Sequence, residues 1–252
     1  MGNNLEFLIP KNRLLAEFSG ANRERVFRRL ERVETEQGKV ICEAGDRLEY
    51  AYFPDGAVLS IYTVLQNGTA FEATDIGWEG AFGHLSSLYC QTSFNRCLVR
   101  KNGGLLRVPS DVLQEEFAIS ENLRHLFVRY TETLLSQIQQ TVACNFVHTV
   151  QQRVSRWLLT MQDRTEGSAL TYSQEALAQM LGLSHIAAAQ SCEALQAAAL
   201  IQNQGETIEI LNREGLEKAA CECYAIMKAR YDEFLPPCSY VARRKTVTFE
   251  CK

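Results

Sequence analysis

Apolar and polar residues first fall into short runs, at Lys39–Cys42, Glu49–Phe53, Ala57–Val64, Thr69–Thr74, Arg96–Arg100 and Leu105–Val108. The runs are rich in β-branched and aromatic residues. Turn formers separate them at Ala44-Gly45-Asp46, Pro54-Asp55-Gly56, Asn67-Gly68 and Asn102-Gly103-Gly104. Evenly spaced short strands of this kind predict an antiparallel barrel or jelly roll, with a generic open sheet as the alternative. Asn67-Gly68 predicts a type I′ hairpin, because both residues tolerate a positive φ. After Pro109 the period becomes helical. Ser110 is placed to cap a helix through Phe117, and Ser120 to cap a longer one. Along the latter, Leu123, Phe127, Tyr130, Leu134 and Thr141 follow steps of three and four, and Ile138 and Leu135 widen the stripe. A stripe that long between two domains predicts a parallel dimer seam. The alternative is a helix packed on its own barrel.

A break at Asn145–His148 leads to a second amphipathic helix with Val150, Val154, Trp157, Leu158 and Met161 on one face. The most specific signal follows. Ser173 is placed to cap Gln174–Leu181, Gly182 permits a left-handed stop, Leu183 plugs the core, and Ser184 caps a helix to about Ala197. This is the pattern of a helix-turn-helix whose second helix enters a major groove. Leu200-Ile201 and Thr207–Ile210, around Gln202–Glu206, read as a β-hairpin wing.

With the wing in place, the whole chain resembles the family of the cyclic-AMP receptor protein and the fumarate–nitrate reduction regulator (Crp/Fnr). The resemblance is carried by Gly38–Asp46, Tyr52-Phe53-Pro54, Gly77-Trp78-Glu79-Gly80, Ala143-Cys144-Asn145 with His148, Arg153 with Leu158-Leu159, and Leu177–Gly182. It implies an α+β chain with an N-terminal cupin-like jelly-roll β-barrel, a long dimerisation helix and a C-terminal winged helix-turn-helix. The expected domains are a cyclic-nucleotide-binding-like sensor barrel over 1–120, the dimerisation helix over 121–146, the winged domain over 147–235 and a flexible tail over 236–252. The implied partners are double-stranded DNA, a second copy through Leu123, Phe127, Tyr130, Leu134, Ile138 and Thr141, and RNA polymerase or another regulator. The implied DNA contacts are Ser173, Ser184, His185, Ala187, Gln190, Ser191 and Gln204. The implied effector pocket comprises Glu79, Gly80, Asn95, Arg96 and Cys97.

Two departures qualify that expectation. Family members that bind a cyclic nucleotide hold its phosphate with an Arg-Ser-Ala run; here the stretch is Asn95-Arg96-Cys97, and Arg96 sits one position late. A one-residue shift in extended chain reverses the side chain's face, so cyclic AMP is not the expected effector. His84 reads as structural rather than as a haem ligand, having no second axial partner. The second helix, Ser184-His185-Ile186-Ala187-Ala188-Ala189-Gln190-Ser191, offers no fork donor to guanine, although Gln190 suits adenine and Ala187 a thymine methyl.

Charge sharpens the second departure. The chain carries a net charge of -4, and residues 149–212 hold three Arg or Lys (153, 156, 164) against six Asp or Glu. DNA affinity comes largely from neutralised phosphates. The alternative to a DNA-binding homodimer is therefore a family member turned protein-interaction or heterodimerising module. Nine cysteines are scattered, and only Cys221-Glu222-Cys223 forms a close pair, without a second pair or a histidine at finger spacing. The expectation is buried free thiols, no metal site and no cofactor. No nucleophile elbow, zinc motif or phosphate loop points to an enzyme. No run approaches the ~18 apolar residues of a membrane span, and no secretory signal is visible, so a cytoplasmic protein is expected.

Overall fold

The computed structural model describes residues 10–88, 91–165, 167–172 and 174–235. Two short helices, α1 (Arg13–Ala16) and α2 (Gly20–Arg28), lead into strands β1 (Glu31–Thr35), β2 (Val40–Cys42), β3 (Tyr50–Pro54), β4 (Val58–Val64) and β5 (Ala70–Ile76). Helix α3 (His84–Leu88), strands β6 (Arg96–Lys101) and β7 (Gly103–Pro109), and helices α4 (Ser110–Ile119) and α5 (Glu121–Val147) follow. The C-terminal part comprises α6 (Val150–Asp163), β8 (Ala169–Thr171), α7 (Gln174–Leu181), α8 (His185–Ala197), β9 (Ile201–Gln204), β10 (Thr207–Ile210), α9 (Arg213–Ala219) and α10 (Cys223–Phe234).

The first seven strands form two antiparallel sheets, β1-β7-β3 and β2-β6-β4-β5, rather than one closed ring. Leu105 of the first sheet packs with Leu59, Ile61, Cys97 and Val99 of the second. This is a jelly-roll-like sandwich in which alternate side chains share one apolar interior. β1 escapes the sequence pattern because Glu31-Arg32-Val33-Glu34 is polar and mostly exposed; only Thr35 is buried. The expected type I′ turn is also absent. Gly68 has a φ of 83°, but Asn67 is not among the described residues with positive φ. Its side chain instead accepts from the Thr69 N–H at 3.0 Å, the local bond an Asx turn makes.

Ser120 caps α5 as expected, its hydroxyl accepting from the Leu123 N–H. Ser110 does not cap α4: it is the first helical residue after Pro109, and its hydroxyl donates to the Leu48 carbonyl at 3.0 Å. The first half of the stripe expected to be a dimer seam lies inside its own chain. Leu123, Phe127 and Tyr130 belong to one core with Phe18, Phe53, Leu106 and Leu113, and Leu134 packs against its edge. The reason is ring packing. Phe127 sits edge-on to Phe18, Phe53 and Phe117 at 5.9, 6.5 and 4.9 Å. Tyr130 both donates to the Ala81 carbonyl and accepts from its N–H at 2.9 Å. Gly80 has no room for a Cβ against the Tyr130 ring, so the glycine expected in an effector pocket is a packing residue.

α10 runs back antiparallel along α5. Its start lies by Gln140, where the Gln140 amide donates to Cys223 Sγ at 3.1 Å. Its end stacks Phe234 on Tyr130, with ring centroids 6.5 Å apart.

Candidate nucleic-acid interface

The C-terminal unit is built on α6, whose start is fixed by a capping box between Thr149 and Gln152. Its apolar face, Val154, Trp157, Leu158 and Met161, is buried with Leu177, Leu181, Cys192, Leu195, Ile201 and Ile208. The helix-turn-helix bend is a Schellman motif. Gly182 has a φ of 61°, the Leu183 N–H donates to the Ala178 carbonyl at 2.8 Å, and the Gly182 N–H to the Gln179 carbonyl at 3.3 Å. Ser184 then caps α8, accepting from the Ala187 N–H at 3.2 Å. Behind the bend, the Arg153 guanidinium donates to the Leu181 carbonyl.

Helix α8 has two clear faces. Ala188, Ser191, Cys192 and Leu195 point into the core. Ser184, His185, Ile186, Gln190 and Glu193 are exposed, and Ala187 is half-buried. Ser191, expected to read DNA, is 6% exposed and faces inward; it sits three residues after the buried Ala188, on the same helical face. Ser173 lies outside the described residues. The wing is real in outline: β9 and β10 pair antiparallel through Thr207↔Gln204 to Ile210↔Ile201, and β8 adds a third strand beside β10. Gln204 is exposed on it. Gln196 of α8 accepts from the Asn203 N–H at 2.8 Å, tying wing to helix.

The basic side chains of residues 149–212 are largely buried. Of the three arginines in residues 149–212, Arg153 and Arg164 are buried and Arg156 is only half-exposed. Arg164 is the most constrained. It follows α6 and reaches into the N-terminal β-sandwich, with Nη2 2.6 Å from Glu79 Oε1 and Nη1 2.5 Å from Asp75 Oδ1. The second approach is a charge contact without a well-directed hydrogen bond, since Nη1 has no partner of proper geometry. Burial alone would lower the Arg164 pKa, but Asp75 and Glu79 more than offset it and the net shift is upward. Gln137 of α5 adds bonds to Thr74 Oγ1 at 2.7 Å and the Asp75 carbonyl at 3.1 Å. A cavity of about 590 Å³ opens beside this pair, lined by Thr74, Gln137, Trp157, Tyr224 and Tyr231 among others. Thr141, placed by sequence on the seam, lines it too.

The expected effector residues do not converge. Glu79 is taken by Arg164 and by the Gly77 N–H at 3.0 Å. Arg96 is half-exposed and bonded to Glu43 at 2.6 Å, whereas Cys97 lies on the opposite face, in the apolar interior. Asn95 uses its carbonyl to accept from Ser93 Oγ at 2.7 Å. The interior beside Cys97 is apolar, packed with Leu59, Ile61, Phe82 and Val99. His84 is packed between the rings of Phe127 and Tyr130, at 5.4 and 5.0 Å, with Nε2 3.2 Å from Thr131 Oγ1; burial pushes its pKa down to about 4. No helix among the described residues is long and apolar enough to cross a membrane.

Residues 152–219 match the Crp-like helix-turn-helix domain family. Several solved structures share the fold. FixK2 from Bradyrhizobium japonicum aligns with a TM-score of 0.65 at 17% identity, over 76% of this chain and 98% of that one. A Crp-family transcriptional regulator from Thermus thermophilus gives 0.63 at 15% identity, over 75% and 96%. The c-di-GMP-responsive global regulator CLP of Xanthomonas campestris gives 0.56 at 20% identity, over 75% and 97%. No curated protein matches the chain in sequence.

Proposed function

We propose that this chain, with its Crp-like helix-turn-helix domain over residues 152–219 and a fold shared with a Crp-family regulator, is a Crp/Fnr-type transcription regulator that binds operator DNA as a homodimer and does not use a cyclic nucleotide as effector. The observation that carries DNA binding is the capped helix α8, whose exposed face stands beside an ordered wing. His185, Ile186 and Gln190 are the readers: Gln190 pairs with adenine and Ile186 contacts a thymine methyl. The absence of a fork donor on that face favours A/T-rich half-sites, about one helical turn apart.

Dimerisation uses a stripe of α5 that shares only Leu135 and Ile138 with the one first expected. Val128, Leu135 and Val142 recur every seven residues and are 65%, 52% and 52% exposed. Between Leu135 and Val142, Ile138 completes steps of three and four. The Arg164 pair holds the helix-turn-helix unit against the sensor sandwich, so the angle of α8 is set from there. Against cyclic nucleotides stand the outward Arg96 and a Glu79 engaged by Arg164.

The test is enrichment of fragmented genomic DNA by the purified full chain across a salt series, beside Arg164→Met. Removing one partner of a buried ion pair costs about 3–5 kcal/mol and frees the unit. Enrichment of defined fragments, lost in Leu135→Asp, is expected. Failure of both the parent and Arg164→Met to enrich any fragment at the lowest salt would falsify DNA binding and leave a protein-interaction module.

A further inference from the structure

The pair Cys221 and Cys223, which sequence spacing left without partners, acquires them from the end of α5. Cys144 and His148 come from that helix and its C-cap, about seventy-five residues upstream of the cysteine pair. The three Sγ atoms and one imidazole nitrogen all lie within 4.8 Å of one another. The three cysteines are buried and form a cluster of their own. Cys144 Sγ is 3.5 Å from Cys221 Sγ, and Cys223 Sγ is 3.6 Å from His148 Nδ1.

Those separations are the edges of a small tetrahedron. Zinc bonds of about 2.3 Å to sulfur and about 2.0–2.1 Å to nitrogen, at tetrahedral angles, put sulfurs about 3.8 Å apart and sulfur about 3.6 Å from nitrogen. Four atoms this close leave space for one ion at their centre and none for a multi-iron cluster. The surroundings fit as well. His148 turns Nδ1 to the thiols and Nε2 to the Glu222 carboxylate at 3.0 Å. That is the carboxylate–histidine pairing that fixes the tautomer of a metal-bound imidazole. Gln140 donates to Cys223 Sγ at 3.1 Å, a bond that a thiolate accepts better than a thiol.

We propose that Cys144, His148, Cys221 and Cys223 bind a single zinc-class divalent ion as a tetrahedral Cys3His site. With four protein ligands the site is closed, so its role is structural. It clamps the first turn of α10 to the end of α5, at the break where the chain passes into α6. Binding displaces the thiol protons to solvent, so affinity falls as pH falls.

The test uses the full chain, purified under reductant, stripped with a chelator and titrated with Co²⁺. The expected result is one cobalt per chain, with a thiolate-to-cobalt charge-transfer band and the intense visible bands of tetrahedral geometry, both abolished by zinc. Cys221→Ser and His148→Ala are expected to lose that spectrum, while Cys192→Ala, in the core of α8, keeps it. Because the cysteine variants can fail to fold, Glu222→Gln provides a second reading at a side chain 68% exposed; its cobalt affinity is expected to drop about 10-fold. No cobalt uptake, a pale octahedral spectrum, a spectrum that survives in Cys221→Ser, or unchanged affinity in Glu222→Gln would each overturn the assignment.

Discussion

Helix α5 carries two apolar stripes whose surfaces go to different places. Leu123, Phe127 and Tyr130 are 1%, 2% and 0% exposed, closed over by the aromatic core of the N-terminal β-sandwich. Val128, Leu135 and Val142, turned away from that core, keep more than half of their surface open. The two sets share the same helical spacing and similar hydrophobicity. What separates them is the neighbour, since the rings of Phe18, Phe53 and Phe117 arrive on only one side. Periodicity identifies a helix and its apolar directions; it does not say which of them the rest of the chain covers.

The contrast between the stripes can be tested residue by residue. Phe127→Ala removes the ring at the centre of the buried stripe and is expected to lower stability by about 3–5 kcal/mol. Thermal melts followed by circular dichroism measure this, and an unchanged melting temperature would break the division. Acid should reach the same place through His84. Its folded pKa lies below its value of 6.5, at about 4, so the sandwich keeps full stability above pH 6.5. It loses on the order of 3 kcal/mol as pH falls from there to about 4; His84→Gln should flatten that part of the pH profile. Leu134→Ala, at the edge of the buried core, should cost about 1–2 kcal/mol. Leu135→Asp, one residue on but exposed, should change folding stability of the isolated chain by less than about 0.5 kcal/mol. Light scattering should nevertheless report half the parent's mass, and a parent already monomeric at micromolar concentration would remove the second stripe's role.

Sequence reading succeeded where a feature is local. Gly182, Leu183 and Ser184 define the helix-turn-helix bend within three residues, and Ser120 caps α5, because caps and Schellman turns depend on near neighbours. It failed where contacts are distant. Arg164 looked like one more basic residue of the C-terminal unit, yet its partners are Asp75 and Glu79 of the N-terminal β-sandwich. Cys221 and Cys223 offered no finger spacing, and only the antiparallel return of α10 along α5 brings Cys144 and His148 to them. Ser191 is a polar residue on the inner face of α8, where the period alone, counted from Ala188, would have placed it inside. Strand β1 was missed for the opposite reason: its edge position lets it stay polar.

The withdrawal of Arg153, Arg156 and Arg164 from the outer surface of residues 149–212 has a consequence for how the protein would find its target. Loose attachment to arbitrary DNA rests on cations facing the phosphates. A reading unit poor in such cations is held only weakly by the bulk of a genome. Most copies would remain free in solution instead of being titrated by the roughly 10⁶–10⁹ competing sites. The search would proceed by repeated three-dimensional collisions more than by sliding, and a small number of molecules would suffice to fill the few sites that fit.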